Sequence, residues 1–171
     1  SIAAPSSNPA SNRTLTVPSN ADGEILTTTN PKSGSIIQVV ATNVSATSSV
    51  SVQNGTIVDT PATVTITSTA ANSKFLISAA IGGEASQPDH VIGFVLQRVI
   101  GGSTSSINVG TAESNRPAIT FIQQQGYGGQ NNTTTSSTSV MSPYLDSPSQ
   151  VASTAITYKI GIIGLGNTAT F

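Results

Sequence analysis

Short stretches that alternate between β-branched and polar residues run through most of this chain. Residues 63–67 alternate between threonine and the apolar Val64 and Ile66, which is the period of a strand with one buried face. Residues 155–163 repeat this pattern and place four large side chains on one face. No window of eleven or more residues combines a helical period with helix-forming residues. The patterning therefore predicts an all-β domain.

Turn-forming residues divide the rest of the chain into further short segments of strand type. These segments are residues 36–40, 74–81, 91–100, 105–109, 118–122, 140–145 and 168–171. Asn54-Gly55 lies between two short strand-like triplets, residues 50–52 and 56–58, and predicts a hairpin. About eight to ten short antiparallel strands with turns between them are typical of a β-sandwich or a jelly roll.

Two of the predicted strands, residues 75–81 and 91–100, are apolar on both faces. A strand with one face in water should alternate, so these two strands are expected to be covered on both sides. Two explanations stay open: a central strand beneath a loop of the same chain, or a subunit interface around a symmetry axis. The second explanation predicts an interface formed by Phe75, Ile77, Val91, Phe94, Val95, Leu96 and Val99.

Residues 1–35 differ from the rest of the chain in their many prolines and few apolar residues. They hold four of the nine prolines, which argues against helix and restricts any strand to a sheet edge. We predict an extended arm or connector that is either disordered or ordered by a partner chain, followed by one domain over residues 36–171. The residues expected to anchor the arm are Arg13, Leu15, Val17, Ile25 and Leu26.

Composition and charge exclude several classes of function. Charged residues make up 8% of the 171 residues, against about 25% in an ordinary domain. A net charge of −1 with six basic residues argues against nucleic-acid binding. No run of 18 apolar residues occurs, so no membrane-spanning segment is expected. The absence of cysteine excludes disulfides and thiolate zinc sites, and we expect no cofactor.

The titratable residues form no strong catalytic pattern. His90 is the only histidine, and with Asp89 and Glu84 it could bind a metal only if all three converged; a solvated loop explains it better. Asp146 is interpreted as a turn former in an Asp-Ser-Pro sequence, and Arg98 as half of an ion pair between subunits. We therefore predict no enzymatic activity, no catalytic residue and no metal site.

Residues 124–139 are rich in glycine, glutamine, serine and threonine, which predicts a long exposed loop. The Tyr127 ring could stack on a sugar, and the side-chain amides of Gln125 and Gln130 could hydrogen-bond to it. An exposed loop tip without a ligand explains the same composition. A host surface glycan is therefore a possible partner rather than an expected one.

An ordered set of short stretches is distributed over most of the chain, from residue 9 to residue 159. The stretches are residues 9–18 (PASNRTLTVP), 22–27, 35–40 (SIIQVV), 63–68, 71–77, 94–98, 144–148 (YLDSP) and 155–159 (AITYK). The set resembles structural proteins of tailed bacteriophages. Residues 9–27 are similar to a segment that precedes the terminal domain of many phage fibre and virion-surface proteins. The later stretches resemble strands and turns of that domain.

The resemblance implies a trimeric jelly roll of the C1q/TNF-like kind, displayed on the surface of a virion. It implies that the homotrimer contacts the major capsid protein or other virion proteins, and that the arm is its anchor. We expect a capsid decoration or cement protein, because 171 residues leave no room for a fibre shaft. The alternative is the tip domain of a tail fibre or head fibre that binds a host surface glycan.

Overall fold

The fold was analysed in a computed structural model, which describes residues 34–52, 54–85, 91–114, 116–123, 137–165 and 169–170. The chain divides into two compact units, Ser1–Val39 and Val40–Phe171. Residues 34–39 of the first unit form no regular secondary structure. The described residues of the second unit contain strands and no helix, so the predicted all-β class is confirmed. None of these residues belongs to a helix that could cross a membrane.

Nine strands occur in the described residues. They are β1 (Ser51–Val52), β2 (Val58–Thr67), β3 (Phe75–Gly83), β4 (Ile92–Ile100), β5 (Ser103–Ser106), β6 (Phe121–Ile122), β7 (Ser137–Asp146), β8 (Ala155–Gly164) and β9 (Ala169–Thr170). The long strands β2, β3, β4, β7 and β8 include the segments that the sequence predicts as strands at residues 63–67, 74–81, 91–100, 140–145 and 155–163. The Gly101-Gly102 turn joins β4 to β5 with positive φ at both residues, which a two-residue hairpin of type I′ requires.

The strands form three antiparallel sheets whose pairing is nested. The largest sheet has the order β2-β8-β4-β5, with β6 also pairing with β4, and the two smaller sheets are β3-β7 and β1-β9. The first strand pairs with the ninth, the second with the eighth, the third with the seventh and the fourth with the sixth. In addition, β4 pairs with β8, and this pairing places β2, β8, β4 and β5 in one sheet. The arrangement is consistent with a β-sandwich.

The core lies between the large sheet and the β3-β7 sheet. In β8 the side chains of Ile156, Tyr158, Ile160 and Ile162 are buried on one face, as the alternation predicts. Phe75 of β3 and Met141 of β7 cover them from the opposite sheet. The predicted inward positions of β2, including Val64 and Ile66, are half-buried against the same core while the threonines between them are exposed.

Both faces of β4 are buried within a single chain. Residues 92–97 are all buried, and a Cβ added at Gly93 would collide with the side chain of Ile119. On the neighbouring strand β8, a Cβ at Gly161 would collide with Ile57. Loops of the same chain therefore lie against the second face of this sheet. Of the two explanations for the apolar strand, a central strand beneath a loop describes β4.

The structure corrects several local predictions. Residues 137–139, which were predicted to end the long exposed loop, are the first residues of β7, and the strand predicted at residues 105–109 is β5 at Ser103–Ser106. Residues 36–40 form no strand in the described part of the chain. The Asn54-Gly55 hairpin is wrong, because β1 pairs with β9 and not with the next segment. Gly55 does adopt a positive φ of 72°, but its turn only redirects the chain toward β2. The strand predicted at residues 118–122 is reduced to the two residues of β6.

Candidate interaction surface

The outward side of the β3-β7 sheet carries a cluster of exposed apolar side chains. We call it the outer face, and it consists of Leu76, Ala80, Val140 and Leu145. Leu76, Val140 and Leu145 are 69%, 68% and 54% exposed. The strand register places Leu76 opposite Leu145 and Ala80 opposite Val140, so the four residues form two cross-strand pairs on one face, with Ser78 between them on β3. Such pairs usually stabilise a sheet when its face is covered.

The outer face contains no charged residue. The other exposed positions of β3 are Ser78 and Gly82, and those of β7 are Thr138, Ser142 and Pro143. Covering this surface would remove apolar area from water without desolvating a charge, which is the costly part of burying polar surface. The face therefore has the chemistry of an interface core rather than that of a solvated sheet.

An open depression adjoins the outer face at β7. It has a volume of about 370 Å³ and is lined by Phe121 and Ile122 of β6 and by Thr138 and Val140 of β7. The ring of Phe121 also stacks on Phe94 of the core, with 4.8 Å between ring centroids. The lining is largely apolar with one hydroxyl, and Val140 belongs both to this depression and to the outer face.

Three polar side chains connect the large sheet to the β3-β7 sheet. Asp146, the last residue of β7, accepts hydrogen bonds from Arg98 Nη1 at 2.7 and 3.0 Å. The hydroxyl of Tyr158 donates to the same carboxylate at 2.7 Å. We call these residues the inter-sheet clasp. Asp146 and Tyr158 are each 3% exposed, so the carboxylate depends on these two donors in place of water.

The clasp changes the proton affinity of its tyrosine. Burial raises the pKa of Tyr158 well above its ordinary value, and the hydrogen bond to the negative Asp146 raises it further. Arg98 acts in the opposite direction but is outweighed. The Phe75 ring packs against the Tyr158 ring at a tilted angle of 52°, with 6.0 Å between the ring centroids. Tyr158 is therefore a neutral donor throughout the physiological pH range.

The clasp corrects two predictions from the sequence. Asp146 is a buried ion-pair partner at the end of a strand, not a turn former, and Arg98 pairs within its own chain. The sequence does indicate that Arg98 has a buried partner. Arg98 shares a strand face with Phe94 and Leu96, and a charge on such an apolar face needs a partner. Nothing in the local sequence identifies Asp146 as that partner.

The predicted interface residues lie in or beside two strands, β3 and β4, which belong to different sheets. Phe94, Val95 and Leu96 are at most 1% exposed inside one chain, so they have no area left for contact with a partner. Phe75 and Ile77 pack against the core from β3. Val91 is 36% exposed, and Val99 is half-buried; their role in an interface stays a prediction. The sequence shows that residues 75–81 are apolar on both faces, but the predicted interface residues did not include Leu76, Ala80, Val140 or Leu145.

The remaining predicted site residues lie outside the described residues. This applies to the anchoring residues Arg13, Leu15, Val17, Ile25 and Leu26 and to the loop residues Gln125, Tyr127 and Gln130. It applies also to Asp89 and His90. Within the described ranges, no three side chains of histidine, aspartate or glutamate converge in a way that could hold a metal ion. Glu84 is half-buried, and its Oε2 atom accepts no hydrogen bond.

Comparisons with known proteins yield no relative: no protein-family model, no curated protein and no solved structure matches this chain.

Proposed function

We propose that this protein is a structural protein of a tailed-phage virion, and that it acts as a homotrimer on the particle surface as capsid decoration or cement. The observation that carries the proposal is the outer face of the β3-β7 sheet. Two cross-strand pairs of apolar side chains, Leu76 with Leu145 and Ala80 with Val140, are exposed there, and no exposed position of β3 or β7 carries a charge. A surface of this kind is typical of an interface between subunits.

The nested strand pairing supports a jelly roll as the fold of this trimer. A jelly roll arises when one long antiparallel hairpin is rolled up, so that strands far apart in sequence become neighbours in two facing sheets. The pairs β2-β8, β3-β7 and β4-β6 are those expected along one long hairpin. The additional β4-β8 pair is of the kind that rolling up such a hairpin would create. The C1q/TNF-like likeness of the sequence agrees with this interpretation.

The composition supports a structural role outside the cell. Serine and threonine together account for 50 of the 171 residues, and charged residues for 8%. In this proposal residues 1–35 anchor the trimer to the major capsid protein or to neighbouring virion proteins, and no residue is catalytic.

The experiment that tests the role uses particles of the source phage that lack this protein. Purified full-length protein is added to these particles, and its co-sedimentation with them is measured. We expect saturable binding, strongly reduced by the double variant Leu15→Ser/Val17→Ser in the arm. The matched double variant Thr65→Ser/Thr157→Ser, which changes an exposed pair in the large sheet, should bind normally. Equal binding by the arm variant would contradict the anchoring role, and no binding by the unchanged protein would contradict the virion role.

A second candidate is the tip domain of a tail or head fibre that binds a host glycan. The depression lined by Phe121, Ile122, Thr138 and Val140 favours it, because an apolar wall with a nearby hydroxyl suits the face of a sugar ring. In this version Tyr127, Gln125 and Gln130 supply the remaining contacts. Binding to a glycan array that Tyr127→Ala and Thr138→Val both reduce would favour this role over decoration.

A further inference from the structure

Residues 36–40, with the sequence Ile-Ile-Gln-Val-Val, have the composition of a strand but pair with none in the described part of the chain. Four of the five residues are β-branched, which favours extended structure. Ile36 and Val39 are 81% and 80% exposed, and Ile37 and Val40 are exposed by more than 40%. We call these residues the donor segment. In an extended backbone its apolar side chains would lie on both sides, and burying both sides would require a partner that covers them.

An open sheet edge is present on β3. This strand pairs with β7 on one side, and its other edge pairs with no strand among the described residues. Proteins usually protect an exposed edge with charged side chains or proline. The nine residues of β3, Phe75–Gly83, include neither. The edge is long enough to accept a five-residue strand.

We infer that the donor segment of one copy adds as a strand to the open edge of β3 in a second copy. The inference rests on the proposed homotrimer and names how its subunits are joined. In a trimer each copy gives one strand to the next copy and receives one from the previous copy, which is a head-to-tail contact, and such contacts close into a ring of three when successive copies are rotated by about 120°. The occupant is a copy of this chain because both elements are uncharged and every chain carries both of them.

The linker allows the donor segment to reach a neighbouring subunit. Ten residues, 41–50, lie between it and β1, and fully extended they span up to about 33 Å. A compact unit of this size has a radius of gyration of roughly 14 Å, and therefore a diameter of roughly 35 Å. Addition of the strand would extend the two-stranded β3-β7 sheet to three strands, which is the number that usually gives a sheet independent stability.

The absence of cysteine from the chain allows a direct crosslinking test. A variant with Gln38→Cys is mixed with an otherwise identical, mass-tagged variant that carries one cysteine on β3, at Leu76, Ser78 or Ala80. A disulfide between the two variants then joins two chains, and it forms only where their Cβ atoms come within about 4.5 Å. The matched control carries Thr63→Cys, an exposed position of β2 at the edge of the other sheet.

We expect a mixed disulfide with one of the β3 positions, at least ten times the yield obtained with Thr63→Cys. Equal yields, or a higher yield with Thr63→Cys, would overturn the inference. It would also be overturned if Gln38→Cys and Ser78→Cys crosslinked only when both lie in the same chain, because the donor segment would then pair with its own β3.

Proline substitutions separate this inference from the proposed trimer. Alternate N–H groups of an added strand face the acceptor, so one of Gln38→Pro and Val39→Pro removes a ladder hydrogen bond while the other is tolerated. We expect one of the two to shift the native mass toward the monomer at micromolar concentration, whereas Val44→Pro in the linker does not. If the unchanged protein is a trimer and both proline variants remain trimers, strand addition is wrong and the trimer stands. A monomeric unchanged protein would refute both.

Discussion

Asp146 of the β3-β7 sheet forms polar contacts with two residues of the large sheet. Its carboxylate is 3% exposed and lies between Arg98 and Tyr158. We expect Asp146→Ala to lower the free energy of unfolding by about 3 kcal/mol, because removal of one partner leaves a partly buried guanidinium without compensation. Urea denaturation at neutral pH measures this loss. The control is Asp59→Ala, which removes the more exposed ion pair with Lys159 and should cost less than about 1 kcal/mol. Similar losses for the two variants would contradict a special role for the clasp.

Tyr158 gives the clasp a dependence on alkaline pH. At neutral pH we expect Tyr158→Phe to cost about 1–3 kcal/mol, the usual value of a hydrogen bond to a charged group. Because the pKa of Tyr158 is higher in the folded state, its stabilising effect is complete below the ordinary tyrosine pKa of about 10 and is lost as the pH rises above it.

The stability difference between the unchanged protein and Tyr158→Phe should therefore shrink between about pH 10 and pH 12. Denaturant unfolding at several pH values measures this difference. A difference that stays constant over this range would contradict the shifted pKa.

A substitution at Gly93 tests whether the loop that contains Ile119 packs against β4. A Cβ at this position would overlap the side chain of Ile119, so we expect Gly93→Ala to cost about 1–3 kcal/mol of unfolding free energy. The matched control is Gly110→Ala, because Gly110 has no neighbour within reach of a Cβ. Thermal unfolding should show a clear loss for the first variant and none for the second. Equal melting temperatures would mean that the loop does not pack on this face.

Single residues could be predicted from the sequence where their own strand defines their environment. The buried positions of Val64, Ile156 and Ile162 follow from alternation alone. Asp146 could not be predicted, because its role depends on a residue of another sheet, 48 positions away in sequence.

At the scale of strands, the outer face is the element that the proposed oligomer needs. The double variant Leu76→Ser/Leu145→Ser removes one of its two cross-strand pairs. Burial of each leucine contributes about 1.5–3 kcal/mol, so the dissociation constant of the oligomer should rise at least about 100-fold. Sedimentation over a range of concentrations measures the change.

The fold of that variant should survive, since both leucines are more than half exposed in the single chain. Circular dichroism checks this expectation. The double variant Thr65→Ser/Thr157→Ser, which alters an exposed cross-strand pair of the large sheet, is the control and should assemble normally. Unchanged assembly of the leucine variant would remove the outer face from the interface.

The sequence predicted elements well where a strand is long and its alternation regular. β2 and β8 were found in this way, whereas β3, β4 and β7 were found as short apolar segments between turn-forming residues. It failed for residues 36–40 and for the Asn54-Gly55 hairpin, because local propensity favours an extended backbone without specifying a pairing partner. The partner of β1 is β9, more than one hundred residues away, and no local pattern encodes that choice.

At the scale of the whole molecule, the nested pairing and the uncovered surfaces belong together. The chain buries both faces of residues 92–97 in β4, so this part of the strand is not free to form a subunit interface. The same fold leaves the outer face and the edge of β3 uncovered in the described part of the chain. The sequence analysis located apolar strands but could not tell which of them the chain itself covers, because that depends on loop packing such as the contact of Ile119 with Gly93.

The most direct test of the account is the native mass of the full-length protein in dilute solution. A homotrimer joined through the outer face and the donor segment predicts three times 17.2 kDa, about 51.6 kDa, at micromolar concentration. Light scattering coupled to size exclusion measures this mass. A stable species of 17.2 kDa at that concentration would contradict the trimer and, with it, the proposed joining of subunits by strand addition.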